Sequence, residues 1–177
     1  MTIFNMSTSK RHANIIGALC TRGNIIKYEQ DNKIEVYHDS IALVHYGHRR
    51  RDPYRLELVD ANAVDNPDIL DHLYFIEPDF MIFHKNKCVW NKNETRVAGY
   101  PDLVVEVWST GNTQPDREEK FLIYSNSDGK TEHWYIEQDS NEVKCFIGDK
   151  RINSQWLDRV LKTQTGLEFD LTRLALL

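Results

Sequence analysis

The chain is poor in the features that mark secreted, membrane-spanning or repetitive proteins. Its three cysteines, Cys20, Cys88 and Cys145, are far apart and odd in number, which fits a reducing compartment better than a disulfide framework. No apolar stretch resembles a signal peptide or a membrane span. There is also no internal repeat and no low-complexity tract. We therefore expect a cytoplasmic protein that makes no membrane contact.

A linker is absent as well. The 177 residues have a hydrophobic content of 41%, which is enough to bury a full core, and no linker divides them. The sequence therefore predicts one domain over residues 1–177.

The chain has no overall excess of positive charge. The formal net charge is −5, so any binding of a nucleic acid, which depends on Lys and Arg, has to rest on local clusters. Solvated surface is the alternative interpretation of each cluster. The candidates are residues 48–51 with Arg55, and the basic side chains of Lys85, Lys87, Lys92 and Arg96.

Two Pro-Asp dipeptides are the most informative feature that is present. They lie at residues 78–79 and 101–102, and each opens a short run of β-branched or aromatic residues. These runs predict two strands, and residues 84–100 between them, rich in Lys and Asn, predict a long hairpin loop. In a symmetric antiparallel hairpin Asp79 lies opposite Glu106, with Cβ atoms roughly 5 Å apart.

Asp79 and Glu106 together form a candidate Mg²⁺ site. Mg²⁺ takes oxygen ligands at about 2.1 Å and is commonly held by one or two carboxylates with waters and substrate phosphate. Asp102 competes with Asp79 for this role, but it lies four positions before Glu106 on one strand, roughly 13 Å away. The backbone carbonyl of Val107 is a candidate for one further oxygen ligand.

A structural interpretation competes with this one, because Asp and Glu are common at strand ends and Pro-Asp is a common turn opener. Glu106 favours function, since it lies among Val104, Val105, Val107 and Trp108, where a carboxylate is costly unless it is paired or binds a metal.

A helix after the second strand supplies the third candidate, Lys120. Thr113 or Gln114 precedes Pro115 at the first helical position, and the helix is predicted to run to about Asn126. Its apolar face can pack on the sheet and bring the ammonium group to the carboxylates. The alternative is a surface pair of Asp116 with Lys120, worth about 0.3–0.5 kcal/mol.

In these motifs the chain resembles the Uma2 family of restriction endonucleases within the PD-(D/E)XK nuclease superfamily. The resemblance rests on residues 6–12, Pro78-Asp79, residues 101–109, Asp116 with Lys120 and Tyr124, residues 132–136 and residues 166–171. It implies an α/β (α+β) fold with a central mixed sheet flanked by helices. It also implies a divalent metal, Mg²⁺ or Mn²⁺, held by Asp79 and Glu106, and hydrolysis of phosphodiester bonds in DNA.

Two departures from the family pattern affect the expected structure. The usual superfamily lysine would fall at Trp108, so Lys120 substitutes for it from the helix, as is usual in this family. Family members also begin with a stretch for which this chain has no room, so an edge of the sheet is expected to be missing or rebuilt. Residues 49–75 are predicted to be an insertion that rebuilds it.

The remaining elements follow from periodicity. Ser9 to about Asn32 predicts an amphipathic helix and Ile34 to Val44 a strand, with later strands at residues 133–137 and 143–147. His12, at the start of the first helix, is interpreted as a solvated residue or a phosphate contact rather than as a general base.

Three functions remain open from the sequence. The first is a metal-dependent DNA endonuclease with Asp79, Glu106 and Lys120 as catalytic residues, and cutting of both strands would favour a homodimer. The second is a binding or assembly module that has kept the fold without turnover. The third is a phosphodiesterase acting on RNA or nucleotides.

Overall fold

A mixed six-stranded sheet organises the protein, in a computed structural model that describes residues 10–21, 34–38, 41–46, 54–56, 59–65 and 73–176. Short 3₁₀ helices lie at Lys85–Lys87 and Thr172–Leu176. In chain order the other elements are α1 (Lys10–Leu19), β1 (Ile34–His38), β2 (Ala42–Tyr46), β3 (Arg55–Leu56), α2 (Ala61–Asp65), β4 (Leu73–Ile76), β5 (Phe80–His84), β6 (Cys88–Trp90), β7 (Arg96–Gly99), β8 (Leu103–Trp108), α3 (Gln114–Ser125), β9 (Glu132–Glu137), β10 (Glu142–Ile147), β11 (Lys150–Trp156), β12 (Val160–Lys162) and β13 (Glu168–Asp170).

The main sheet has the order β1-β5-β8-β9-β10-β11. Strands β8 and β9 are parallel and are joined through α3, while the other neighbours are antiparallel. All six residues of β8 are buried, as expected for a strand covered on both faces. A central mixed sheet with helices, the fold class predicted from the sequence, is confirmed.

Each face of this sheet carries its own core. Successive strand residues point to opposite faces, so Val105 and Val107 of β8 pack with α1, whereas Val104 and Trp108 pack with α3. Glu106 alternates with Val105 and Val107 and therefore lies on the α3 face. The strand thus directs its one carboxylate toward the helix that carries Lys120.

The pairing of β5 with β8 has the register predicted from the two Pro-Asp motifs. Phe80 pairs with Val105 and Ile82 with Leu103, antiparallel. Continuing this register by one residue places Asp79 opposite Glu106, as predicted. Register matters here because one slipped residue would exchange the side chains of β8 between the two cores and turn Glu106 away from α3.

The connection between these strands is not the plain hairpin loop that was predicted. It contains β6 and β7, which pair with each other and, through β2, form a second sheet with β3 and β4. The stretch predicted as one strand from Ile34 to Val44 is likewise two strands, with β1 in the main sheet and β2 in the second. In the described parts of residues 49–75, strands β3 and β4 pair with β2 in this second sheet, and no strand is added to the main one.

The two long helices were predicted with different success. Helix α3 is confirmed, with Thr113 as its N-cap accepting a hydrogen bond from the Asp116 amide and with Pro115 in its first turn. Helix α1 ends at Leu19, earlier than the predicted Asn32, and residues 22–33 lie outside the described residues. Within the described ranges, no helix combines the length and apolar character needed to span a membrane.

Candidate active site

Glu106 is a buried carboxylate with a partner on each oxygen. It is 1% exposed, and its Oε2 lies 2.5 Å from Lys120 Nζ. Its Oε1 accepts a hydrogen bond of 2.7 Å from the Tyr124 hydroxyl. Lys120 and Tyr124 are four residues apart on α3, so one face of the helix provides both partners.

The pKa of Glu106 is raised to about 7. Burial is the main cause, and the negative charge of Asp79 raises the pKa further. The Lys120 charge and the hydrogen bonds from Lys120 and Tyr124 act in the opposite direction. Glu106 is therefore poised between its protonated and charged forms near neutral pH.

Lys120 stays charged at this site. Burial lowers the pKa of its ammonium group, but the negative charges of Glu106 and Asp79 outweigh that effect and the pKa is raised overall. The predicted alternative, a surface pair with Asp116, is not its main contact, because Lys120 forms its ion pair with Glu106. Sequence reasoning thus placed Lys120 at the carboxylates correctly.

Asp79 is held between β8 and α1. Its Oδ2 accepts a hydrogen bond of 2.7 Å from the Val107 amide, and its Oδ1 lies 3.0 Å from His12 Nε2. Since the NH and C=O of a strand residue point toward the same neighbour, the carbonyl of Val107 also faces the Asp79 side. Asp79, Glu106 and Val107 are therefore brought together as predicted.

His12 lies closer to the site than predicted. Its side chain is only 13% exposed and contacts Asp79, which corrects its interpretation as a solvated helix-start residue. It shares one helix face with Ile15, Ile16 and Leu19, at the spacing i, i+3, i+4 and i+7. That spacing was a signal in the sequence that His12 faces the core.

Asp102 lies at the opposite end of β8 and serves the fold. Its carboxylate accepts hydrogen bonds of 2.7 Å and 2.5 Å from the His84 amide and Lys87 Nζ, and lies 2.6 Å from His84 Nδ1. The second Pro-Asp motif therefore ties the end of β5 to the connection that follows it. Asp102 is remote from Glu106, as predicted when it was excluded from the metal site.

The basic residues predicted to contact nucleic acid follow the end of β5 that is remote from Asp79. Lys87 is paired with Asp102, and Lys92 is exposed and lies 3.8 Å from Asp65. Arg96 is stacked 4.5 Å from the ring centre of Phe75. The side chain of Lys85 and residues 48–51 lie outside the described residues.

Arg117 is a site neighbour that sequence reasoning missed. It donates to the Ser109 carbonyl at 2.7 Å and to Glu137 at 3.3 Å, and it stacks 4.7 Å from the ring centre of Trp108. It thus joins the end of β8 to the start of α3, one turn before Lys120. In the sequence, Arg117 in a charged helix start looks like any surface arginine.

The donors at this site are compatible with a hard divalent cation. Two carboxylates and a backbone carbonyl are the oxygen donors that Mg²⁺ prefers. Asp79 raises the pKa of Glu106, so the two negative charges destabilise each other and a cation between them would relieve that repulsion. In the part of the chain that the structure describes, no cluster of three or more His, Cys, Asp or Glu side chains could hold a metal. An ion here would complete its shell with water or phosphate.

The sheet order, the β8-α3-β9 unit and the Asp79, Glu106 and Lys120 arrangement define a domain of the restriction-endonuclease-like class. The sequence model of the Uma2 family, described as "putative restriction endonuclease", matches residues 60–173, and the chain belongs to that family. Residues 60–75 are inside the match, so that part of the predicted insertion is shared with the family.

A solved structure supports the same fold. It is the crystal structure of a "putative nuclease belonging to DUF820" from Anabaena variabilis, which is 12% identical and aligns with a TM-score of 0.57 over 93% of this chain and 81% of that one. At this identity the likeness establishes the fold alone. No curated protein matches the sequence.

Proposed function

We propose that the protein is a nuclease that hydrolyses phosphodiester bonds in DNA with the help of Mg²⁺ or Mn²⁺. One observation carries the proposal. Glu106, buried in the middle of an apolar strand, is flanked by a second carboxylate and by an ammonium group that stays charged. A fold can avoid a buried carboxylate at little cost, so its presence here favours a chemical role.

The oxygens of Asp79 and Glu106 and the carbonyl of Val107 would hold the ion. When bound, such an ion polarises a phosphate oxygen and lowers the pKa of a water, so that hydroxide is available near neutral pH. His12 fixes the orientation of Asp79 through their 3.0 Å contact, while the Val107 amide holds the other carboxylate oxygen.

Lys120 acts as a fixed positive charge in this proposal. Because its pKa is raised, it keeps its proton and is unsuited to be a general base. It orients the attacking water or stabilises the negative charge on the phosphoryl oxygens in the transition state. The attacking water gives up one proton to solvent as its oxygen bonds to phosphorus, the bond from phosphorus to the leaving oxygen breaks, and the leaving oxygen takes up one proton. The products are a phosphate monoester end and a hydroxyl end.

The proposal also includes a cytoplasmic location and a homodimeric state. Cys20, Cys88 and Cys145 form no disulfide with one another, which fits a reducing cytoplasm. Cutting of both strands of a duplex favours a homodimer with two-fold symmetry, because the two strands present equivalent phosphates in opposite directions.

Metal binding provides a test that does not depend on cleavage. We expect millimolar Mg²⁺ or Mn²⁺ to raise the thermal unfolding temperature of the wild type, because an ion that binds only the folded state stabilises it. The shift should vanish in Asp79→Ala and Glu106→Ala. It should persist in Asp102→Asn, which removes a carboxyl charge at the far end of β8. Equal shifts in all four proteins would overturn the assignment of the metal ligands.

A further inference from the structure

A second feature, next to the proposed cleavage site, is a pocket between α3 and strands β9 and β10. Its volume is about 520 Å³, within the range of pockets that bind small organic molecules. Phe121 and Leu122 of α3 form one side, and Tyr135 and Phe146 of the two strands form the other. The proposed chemistry uses none of these side chains.

The interior of the pocket is aromatic. The rings of Trp108 and Tyr135 stack with their centres 4.2 Å apart, and Phe121 and Phe146 meet edge to face at 5.2 Å. The Phe146 ring also lies 5.7 Å from that of Tyr135. Trp108 is covered by Tyr135 and by Arg117, and Tyr135 is only 1% exposed, so these two rings form the base of the pocket. The partly buried rings of Phe121 and Phe146 give a flat, apolar or aromatic ligand group a surface to pack against.

The mouth of the pocket is apolar and open. Leu122 is 42% exposed, although it lies on a helix whose neighbouring residues Ile123 and Tyr124 are fully buried. Phe121 and Phe146 are only partly buried. An apolar concavity of this kind on a surface is typical of a binding site.

The charges around the pocket favour a neutral ligand. Arg117 and Lys144 both contact Glu137, and Glu118 adds a second negative charge to the lining. Two positive and two negative charges leave the rim without net charge. A phosphate gains little here, whereas an uncharged ring with polar edges can pack against Phe121 and Phe146 and hydrogen-bond to the rim.

The pocket is also close to the proposed cleavage site. Tyr135 is the register partner of Glu106 on the neighbouring strand, and burial together with the Glu106 charge raises its pKa. Trp108 follows Glu106 on the same face of β8, roughly 7 Å along the strand. Phe121 directly follows Lys120 in α3, so the same helix turn serves both sites.

We propose that this pocket binds one unpaired nucleobase of the DNA strand that is being cut, beside the phosphodiester bond at Asp79, Glu106 and Lys120. The inference rests on the proposed nuclease function, since that function supplies the DNA. A base that is paired and stacked in duplex DNA has both faces covered and cannot pack against Phe121 and Phe146, so it has to be extruded or already unpaired. The protein therefore binds and cuts single-stranded or locally unpaired DNA better than a fully paired duplex.

Photocrosslinking in EDTA tests the pocket without any cleavage. The probe is a short single-stranded oligonucleotide containing 5-iodouracil, which crosslinks to aromatic side chains on irradiation, and adducts are mapped by mass spectrometry. We expect adducts on Phe121 or Phe146, whose rings are only partly buried. Adducts confined to residues outside the pocket would overturn the proposal.

A matched pair of variants gives an independent test. Leu122→Glu places a negative charge at the mouth of the pocket, whereas Val160→Glu makes the same change at a residue that is 41% exposed on β12 and does not line it. Loss of one stacked base should weaken binding of the oligonucleotide about tenfold in Leu122→Glu. Val160→Glu should bind like the wild type. Equal affinities for the two variants would overturn the proposal, as would a shift from dimer to monomer in Leu122→Glu alone with unchanged DNA binding.

The outcomes also separate this inference from the nuclease proposal. If the protein cleaves DNA with Mg²⁺ or Mn²⁺ but shows no pocket adducts and no effect of Leu122→Glu, the nuclease proposal stands and the base pocket is overturned. Pocket adducts and a selective Leu122→Glu defect, without cleavage of any DNA, support the pocket and contradict the nuclease.

Discussion

The pKa of Glu106 is set by opposing effects of burial and of three neighbouring side chains. Burial and Asp79 favour its neutral form, while Lys120 and Tyr124 favour its charged form, and the pKa settles at about 7. A carboxylate has to be charged to bind a cation, so protons compete with the metal at Glu106 and the proposed activity should fall as the pH is lowered. Any change to these neighbours should move this acidic limit.

Tyr124→Phe tests this balance at one hydrogen bond. The Tyr124 hydroxyl lowers the pKa of Glu106, so its removal should raise that pKa and move the acidic limit of cleavage to higher pH. The measurement is the cleavage rate as a function of pH. An unchanged pH profile in Tyr124→Phe would contradict the role given to Glu106.

Lys120→Met keeps the apolar stem of the side chain and removes only its charge. Loss of one preorganised charge from a transition state typically costs about a hundredfold or more in rate. We expect that loss in Lys120→Met, with part of it recovered in Lys120→Arg. Lys150→Met, at an exposed residue of β11, should cleave at the wild-type rate. Wild-type cleavage by Lys120→Met would show that Lys120 is structural.

Single residues differed in how readily the sequence revealed them. Glu106 stood out because a carboxylate inside an apolar run is costly. His12 and Arg117 did not, since an isolated histidine or arginine among charged neighbours resembles surface. Their contacts with Asp79 and with Ser109, Trp108 and Glu137 arise only from the packing of the helices on the sheet.

Among the secondary-structure elements, the β5 and β8 pair positions the proposed site. Asp79 and Glu106 lie toward one end of the pair, and Asp102, His84 and Lys87 lie at the other. The Asp102 side chain is only 7% exposed. We infer that one end of the pair provides the chemistry and the other end fixes the register.

Asp102→Asn should therefore affect stability and leave the chemistry intact. Hydrogen bonds to charged groups contribute about 1.5–3 kcal/mol each, so we expect the free energy of unfolding to fall by about 2 kcal/mol. Urea unfolding measures this loss, and the cleavage rate at a temperature where the variant is folded should match the wild type. A folded Asp102→Asn protein without cleavage would place Asp102 in the active site.

The predictable elements were those with strong apolar patterns. The register of β5 with β8 followed from two apolar strands paired as a symmetric antiparallel hairpin. Strands β6 and β7 were missed because they are three and four residues long in a stretch rich in Lys and Asn. Strand β11 was missed because most of its side chains are exposed, as is common at a sheet edge.

At the scale of the whole molecule, acid stability depends on His133, which is fully buried in the layer between the sheet and α3. Burial lowers its pKa to about 4, and its ring nitrogens contact the Tyr135 hydroxyl and the Gly148 carbonyl. Between pH 4 and the ordinary value of 6.5, the unfolded chain binds more protons at this residue. His133 therefore contributes stability that is fully present above 6.5 and is lost as the pH falls toward 4.

His133→Asn isolates this contribution. Glu106, with its raised pKa, has the opposite effect between pH 4.5 and 7, so the wild type alone does not report on His133. The difference in unfolding free energy between wild type and His133→Asn should be larger at pH 7 than at pH 5 by about 2 kcal/mol. Chemical unfolding at the two pH values measures it. A difference that does not change with pH would mean that His133 titrates normally in the folded protein.

The central claim is that Asp79, Glu106 and Lys120 form the active site of a metal-dependent DNA nuclease. The most direct test is incubation of supercoiled plasmid with Mg²⁺ or Mn²⁺, with the wild type beside Glu106→Ala and Lys120→Met purified in the same way. We predict nicked or linear plasmid with the wild type and intact plasmid with both variants. Cleavage that persists in both variants, or a folded, metal-binding wild type that leaves the plasmid intact, would contradict the claim.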